Sequence, residues 1–172
     1  MFTPKETIQK IYDELLLCVN IIQEEIYHPE KNVQNHSLQC MLLAARESTD
    51  VDLVIAATLH DVGKRITKLG HDKESVKILT GYVSVKTLWL IENHMRVWAL
   101  ILGEMKKFGK IRFLIEHPWL PELIHLARID KMGRQPNKKI ILSYDLIEET
   151  LDRVVNRKFE SNKVRAVNEG KG

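Results

Sequence analysis

The sequence predicts an all-α domain, a single helical bundle, and three observations predict it. Apolar residues recur at spacings of three and four almost from end to end, the period of helix faces buried against neighbours. Strand signals are scarce: the stretch VSVKTLWLI at 83–91 contains β-branched residues, but Ser84 suits a helix cap and the rest keeps helical spacing. No internal repeat and no linker rich in Gly, Pro or Ser divides the 172 residues, a length that suits one domain.

The first helix opens with Thr3 as cap, Pro4 in the first turn and Glu6 as the capping-box partner. Ile8, Ile11, Tyr12, Leu15, Leu16, Val19, Ile22 and Ile26 then predict one long apolar face, ended by Pro29. A second helix is expected over 34–47, with Leu38, Met41, Leu42 and Ala45 facing inward. Asp50 caps a third, DLVIAATLHDVG, which is apolar on every side until His60 and therefore belongs at the centre of the domain. Gly63 is expected to end it in a left-handed C-cap.

Shorter helices follow at 71–80, 84–93, 94–107, 110–116 and 119–133, and a last one at 143–157. On that last helix Glu148, Glu149 and Asp152 have helical spacing to Arg153 and Arg157, which reads as a solvated ion-paired face. The stretch 158–172 loses the apolar pattern and reads as a frayed helix and tail, leaving 1–157 as the domain.

Composition narrows the class. At 44% hydrophobic and 28% charged residues the chain is neither disordered nor fibrous. Cys18 and Cys40 lie in apolar helical contexts without metal or redox spacing, and read as buried thiols of a cytoplasmic protein. A net charge of +3 gives no argument for a nucleic-acid surface. The N-terminus has no signal-peptide pattern, and apolar runs such as 53–59 are too short to span a bilayer, so no membrane partner is expected.

The chemistry concentrates on His60 and Asp61, two strongly polar residues that close the most hydrophobic helix. Buried charges need a partner or a metal, and no near neighbour in sequence supplies one. His36, His71, His94 and Asp130 lie on other expected helices, and helical bundles build core metal sites from such separate segments. Imidazole and carboxylate without thiolate suit Mn, Fe, Co, Ni, Zn or Mg. His28, His117 and His125 read as surface or packing residues, and Trp89, Trp98 and Trp119 as core rather than base-stacking platforms. Lys64 and Arg65 suit either a phosphate or the negative end of the preceding helix.

The order His36, His60-Asp61 within HDVGK at 60–64, and Asp130 resembles the HD-domain superfamily of metal-dependent phosphohydrolases. GHDKES at 70–75 and ENHMR at 92–96 are similar to further segments of that family. The run KIRFLIEHPWLPELIHLARIDK looks closest to the HD module of transfer-RNA nucleotidyltransferases, here expected as a free-standing module. The resemblance covers about 34–135 and implies an HD-type bundle with His36, His60, Asp61 and Asp130 as metal ligands. It further implies His71 and His94 as ligands of a second ion or contacts of the substrate phosphate, so one or two divalent ions per chain.

The implied reaction is hydrolysis of a small phosphate ester, a nucleotide or related phosphomonoester or cyclic phosphodiester, by water that the metal activates. His60 and Asp61 would be the catalytic pair, with Lys64 and Arg96 as phosphate contacts. Two other readings remain open at this level: an HD-type di-iron oxygenase, and a non-catalytic module that binds a nucleotide or a protein. Oligomeric state is also open, a homo-oligomer included.

Overall fold

The computed structural model describes residues 4–169, with side chains to 163. Its helices are α1 (Pro4–Leu17), α2 (Val33–Glu47), α3 (Val51–Leu59), α4 (His71–Leu79), α5 (Val85–Ile101), α6 (Phe108–Ile115), α7 (Leu120–Met132) and α8 (Tyr144–Glu169). Among the described residues there is no strand, only an isolated antiparallel bridge between Ile22 and Asn32. The all-α reading holds.

The axis of the bundle is α3. Every residue from Leu53 to Leu59 is buried, and α1, α2, α5, α7 and α8 all pack against it. An apolar helix without a polar face has no stable place except between other helices. The expected caps hold two of these helices at their N-termini. Asp50 accepts the backbone N–H of Asp52 at 3.0 Å, and Ser84 accepts that of Thr87 at 3.0 Å, each satisfying a donor that a helix start leaves free. The Thr3 cap lies outside the described residues.

Four expectations need correction. The first helix stops at Leu17 rather than Pro29. The run Val19-Asn20-Ile21-Ile22 disfavours helix through three β-branched residues, and Gln34 Nε2 donates to the Leu15 carbonyl at 2.9 Å. Residues 18–32 instead form a loop closed by Gln23 N–H to Lys31 O and Val33 N–H to Ile21 O. Ile22 and Ile26, expected on the buried face, are exposed.

Second, the helices expected at 84–93 and 94–107 are one continuous α5, which ends just before Gly103 at φ +70°. No Gly or Pro interrupts Val85–Ile101, so nothing in the chain forces a break.

Third, Gly63 is not a left-handed cap. It lies in a 3-10 turn, Val62–Arg65, and its lack of a side chain serves close packing. A Cβ there would stand 2.1 Å from His71 O and 2.7 Å from Ser75 N. Its N–H donates to Ser75 Oγ at 2.8 Å, and that hydroxyl donates to His60 O at 3.0 Å.

Fourth, α8 continues to Glu169, beyond the expected end at 157. No Gly or Pro occurs in 144–169 to stop it. The rest of the expected tail, 170–172, lies outside the described residues. Arg157 does not join an ion-paired face. It donates to the carbonyls of Ala45, Arg46 and Ser48 and so closes the C-terminus of α2.

Filling the Gly63 position tests this packing. Gly63→Ala forces backbone apart between the turn and α4, and is expected to cost about 3 kcal/mol in urea unfolding. An unchanged midpoint would show that α4 does not press on the turn.

Candidate metal centre

The site begins where α3 gives way to the 3-10 turn. Side chains of adjacent residues on a helix point about 100° apart, but the helix ends at Leu59 and Asp61 has left helical geometry, at φ −102° and ψ 0°. His60 Nε2 and Asp61 Oδ2 therefore come within 3.5 Å of each other. The hydroxyl of Ser75, anchored on α4, fixes this turn from outside and brings His71 with it.

Each expected ligand arrives on its own element: His36 on α2, His60 and Asp61 after α3, His71 at the start of α4, His94 on α5 and Asp130 on α7. All six are buried. They form two groups of three whose ligand atoms lie within 4.8 Å of one another, His36 with His60 and Asp130, and Asp61 with His71 and His94. Asp61 links the groups. Its Oδ2 is 3.8 Å from His36 Nε2, while its Oδ1 is 3.1 Å from His71 Nε2 and 3.8 Å from His94 Nε2. Asp130 Oδ1 is 3.1 Å from His36 Nε2 and 3.8 Å from His60 Nε2.

Hydrogen bonds on the far side of each ring decide what the near side offers. Nδ1 of His60, His71 and His94 donates to the carbonyl three residues back, Ala57 at 3.0 Å, Lys68 at 2.9 Å and Ile91 at 2.6 Å. Nδ1 of His36 faces Glu30 Oε1 at 2.9 Å and Gly133 O at 3.1 Å. A neutral imidazole has one N–H. A neutral ring with its N–H spent at Nδ1 turns an Nε2 lone pair inward. Despite burial, Cys40, Asp130 and Glu30 raise His36 well above the usual imidazole range, and Asp61 raises His71. Without a metal these two rings hold a proton on Nε2 that faces Asp130 and Asp61 at 3.1 Å, a proton that a bound metal would replace.

This arrangement fits a metal. His60 Nε2 is a buried polar atom with no hydrogen-bond partner. Nε2 of His71 and His94 are 3.1 Å apart, close enough to share one proton or to ligate one cation together. Carboxylates and imidazoles, with Nδ1 anchored, are the donor set and supporting shell of divalent metal sites.

Electrostatics keep the carboxylates charged. Burial opposes ionisation of Asp61, yet His60, Lys64, His71 and His36 together hold its carboxyl well below the usual range. Burial likewise opposes Asp130, and the hydrogen bond from His36 together with charge from His60 and His36 lowers it well below that range. Burial and the neighbouring His60 push His94 down to about 4, so its ring is neutral at pH 7.

Three residues that the sequence pattern did not reveal complete the surroundings. Glu30 is 3% exposed and holds both His28, at 2.8 Å, and His36, at 2.9 Å. Despite burial, these bonds lower its carboxyl to about 2. His28 was expected to face water; instead it is half-buried on Glu30 at the mouth of the site. Arg134 Nη2 donates to Asp130 Oδ1 at 2.8 Å. Only the four-residue interval between Asp130 and Arg134 hinted at this in the sequence.

Cys40 was expected merely to be buried, without histidine spacing. It is buried and free, but one helical turn from His36, with Sγ 3.6 Å from Nε2. Burial raises its thiol pKa, so it stays a neutral thiol that packs the ring.

A cavity of about 500 Å³ opens above the cluster, lined by Asp61, His71, His94, Asp130, Lys64, Lys131 and Arg134 among others. Lys64 Nζ bonds Asp61 Oδ2 at 2.6 Å and Gln23 Oε1 at 2.6 Å. Arg65 turns away to Glu14 of α1, at 3.0 Å. Arg96 does not line the cavity. It is exposed, donates to Asn93 Oδ1 at 3.0 Å and borders a separate cleft with Met105 and Phe113. Of the three tryptophans, Trp98 lines the cavity. Trp89 and Trp119 pack against the core, with His117 stacked on Trp89 at 3.7 Å. His125 pairs with Glu47 at 3.1 Å, outside the site.

Fold and site together define a helical domain whose core gathers His and Asp groups that could hold a metal ion. Residues 33–141 match the HD domain family. The chain belongs to that family, a superfamily of metal-dependent phosphohydrolases. It is also similar to a "Multifunctional CCA protein" of Methylobacillus flagellatus, 30% identical over 125 residues, which span 63% of this chain and 30% of that relative. Among the described residues no helix is long and apolar enough to cross a membrane.

Glu30 offers a direct test of the supporting shell. Glu30→Gln is expected to keep the fold and lower Mn²⁺ affinity ~10–100-fold, measured by isothermal titration calorimetry. Unchanged affinity would mean that the Glu30–His36 bond does not serve metal binding.

Proposed function

We propose that this protein hydrolyses a small phosphate ester, a nucleotide or related phosphomonoester, with divalent metal held in the buried cluster. One observation carries the reading: the metal-type donors meet at the floor of a cavity whose wall supplies Lys64, Lys131 and Arg134. Anionic substrate and cationic site are matched in charge, and the volume is that of a small-molecule pocket.

His36, His60, Asp130 and Asp61 Oδ2 would hold one ion, and Asp61 Oδ1, His71 and His94 a second. A divalent ion there supplies Lewis-acid polarisation of a phosphoryl oxygen and brings the ionisation of water toward neutral pH. The protein's own groups do the rest. Asp61 and His60 are the central pair, because the single carboxylate of Asp61 is shared by both groups and His60 stands beside it. Lys64 Nζ, fixed by Asp61 and Gln23, places a positive charge at the cavity floor. Lys131 is exposed and has no ion pair among the described residues, so it is free to bind phosphate oxygens. Arg134 takes the phosphate-contact role that the sequence suggested for Arg96. Trp98 covers a stretch of the wall and limits water.

Two free, buried thiols suit the reducing cytoplasm, where we place the protein. The substrate is a small molecule; the sequence's weak net charge of +3 supports no nucleic-acid partner.

Two sets of substitutions test this. Asp61→Asn is expected to lower Mn²⁺-dependent phosphate release by ~10³-fold, the order of a metal's contribution to transition-state stabilisation, while circular dichroism stays helical. Retained activity with metal stripped would overturn the reading. Two irons per chain with substrate-dependent oxygen uptake would point to an oxygenase, and no bound metal to a binding module.

The second set compares cations. Lys131→Ala is expected to raise KM about tenfold, a loss of about 1.4 kcal/mol of binding, while Arg96→Ala leaves KM unchanged. The reverse pattern in steady-state kinetics would put the phosphate on the wrong side of α5.

A further inference from the structure

A second cavity, of about 580 Å³, adjoins the metal cavity and shares four of its lining residues, His28, Lys64, Met95 and Arg134. Most of its surface is apolar, from Ile21, Ile22 and Tyr27 of the loop at 18–32 and from Leu69, while Gln23, Glu24 and Lys68 complete the wall. Ile22, Tyr27, Leu69 and Met95 are 66%, 62%, 89% and 48% exposed. Large apolar side chains left open around a concavity mark a binding site more often than scattered exposure does. The wall's loop residues precede the family-matched region, which begins at residue 33.

Gln23 provides an independent observation on the same wall. It is 9% exposed, and its Oε1 accepts from Lys64 Nζ at 2.6 Å. A lysine ammonium only donates, so the amide orientation is fixed and Nε2 is the remaining group. Gln23 Nε2 is buried without a hydrogen-bond partner. A buried donor without an acceptor is a cost that a bound ligand can relieve.

We propose that this cavity is the subsite for the organic half of the substrate, and that it selects phosphomonoesters carrying an uncharged, ring-sized, largely apolar group over sugar and polyol phosphates that carry none. The inference rests on the phosphohydrolase reading and specifies its substrate class. Continuity between the cavities sets the arrangement: the phosphate lies over Asp61 between Lys64 and Arg134, and the ester's organic group passes Met95 into the pocket of Ile21, Ile22, Tyr27 and Leu69. Gln23 Nε2 supplies a polar anchor for that group. A polyol placed there would exchange hydrogen bonds to water for contact with isoleucine, leucine and methionine, and bind poorly. Hydrolysis breaks the bond between phosphorus and the ester oxygen; water supplies the hydroxyl to phosphorus and a proton to the released alcohol.

The test uses the Mn²⁺-loaded full chain with two alkyl phosphates of similar leaving-group chemistry, 2-naphthylmethyl phosphate and ethyl phosphate. The naphthylmethyl ester is expected to have kcat/KM at least about tenfold higher, mostly through KM, as an apolar pocket discriminates. In the double variant Ile22→Asp, Leu69→Asp the ratio is expected to fall to near one, with metal content by elemental analysis equal to wild type. Both positions are exposed, so the fold tolerates the change. Turnover of both esters at equal kcat/KM would overturn the subsite and leave the phosphohydrolase reading standing. Turnover of neither, with metal bound, would overturn that reading itself. If the variant converts a dimer to a monomer in light scattering and leaves the ratio intact, the cavity is a contact between copies and the subsite is wrong.

Discussion

Four imidazole protons govern this structure. Three are committed to carbonyls at Ala57, Lys68 and Ile91, and the fourth faces Glu30 and Gly133. Inside, four Nε2 atoms meet the oxygens of Asp61 and Asp130, and without a metal it is protons on His36 and His71 that tie rings to carboxylates. Those protons leave part of the buried cluster unsatisfied. Lys64 and Arg134 bring two cations to the edge, one on each carboxylate. Neither reaches His60 Nε2, which makes no hydrogen bond although it lies 3.5 Å from Asp61 Oδ2 and 3.8 Å from Asp130 Oδ1. A divalent ion resolves the deficit, because it binds lone pairs and carboxylates together and offsets their charge.

The fold reads as the means of holding those groups in place. A helix as apolar as α3 must run through the centre, and its end therefore delivers His60 and Asp61 to the middle of the protein. The absence of a side chain at Gly63 lets α4 press close enough for Ser75 to bond the turn and for His71 to reach Asp61. From the other side, the loop at 18–32 brings Glu30 behind His36 and Gln23 against Lys64. One strained residue, Lys31 at φ 79°, helps this loop fold back to pair with the start of α2. Ligand support and the apolar side pocket thus come from the same short segment.

Much of this was legible in the sequence. Helical class, the central position of α3 and the caps at Asp50 and Ser84 follow from local pattern and side-chain chemistry, which sequence states directly. The six clustered His and Asp residues were legible because strongly polar groups punctuate apolar helices in a recognisable order. The errors share a cause. Val19, Ile22 and Ile26 continue the spacing of α1, and period alone does not say whether a face meets the core or water. Glycine at 63 signals special backbone in a sequence, but whether for φ or for close approach depends on what packs above it. Glu30, Arg134 and the true direction of Arg96 were hidden for the same reason. Their roles are set by neighbours from other elements, such as His36 for Glu30, and one-dimensional spacing does not hold that information.

The account stands on metal filling the space between the Nε2 atoms, and diffraction measures that directly. Crystals grown with Mn²⁺, with data collected at the manganese absorption edge, are predicted to show anomalous density enclosed by Nε2 of His36 and His60 and the carboxylates of Asp61 and Asp130. Density beside His71 and His94 would place the second ion. Crystals saturated with Mn²⁺ that show no anomalous peak among these six residues would contradict the account, and would leave the cluster as a proton-shared polar core.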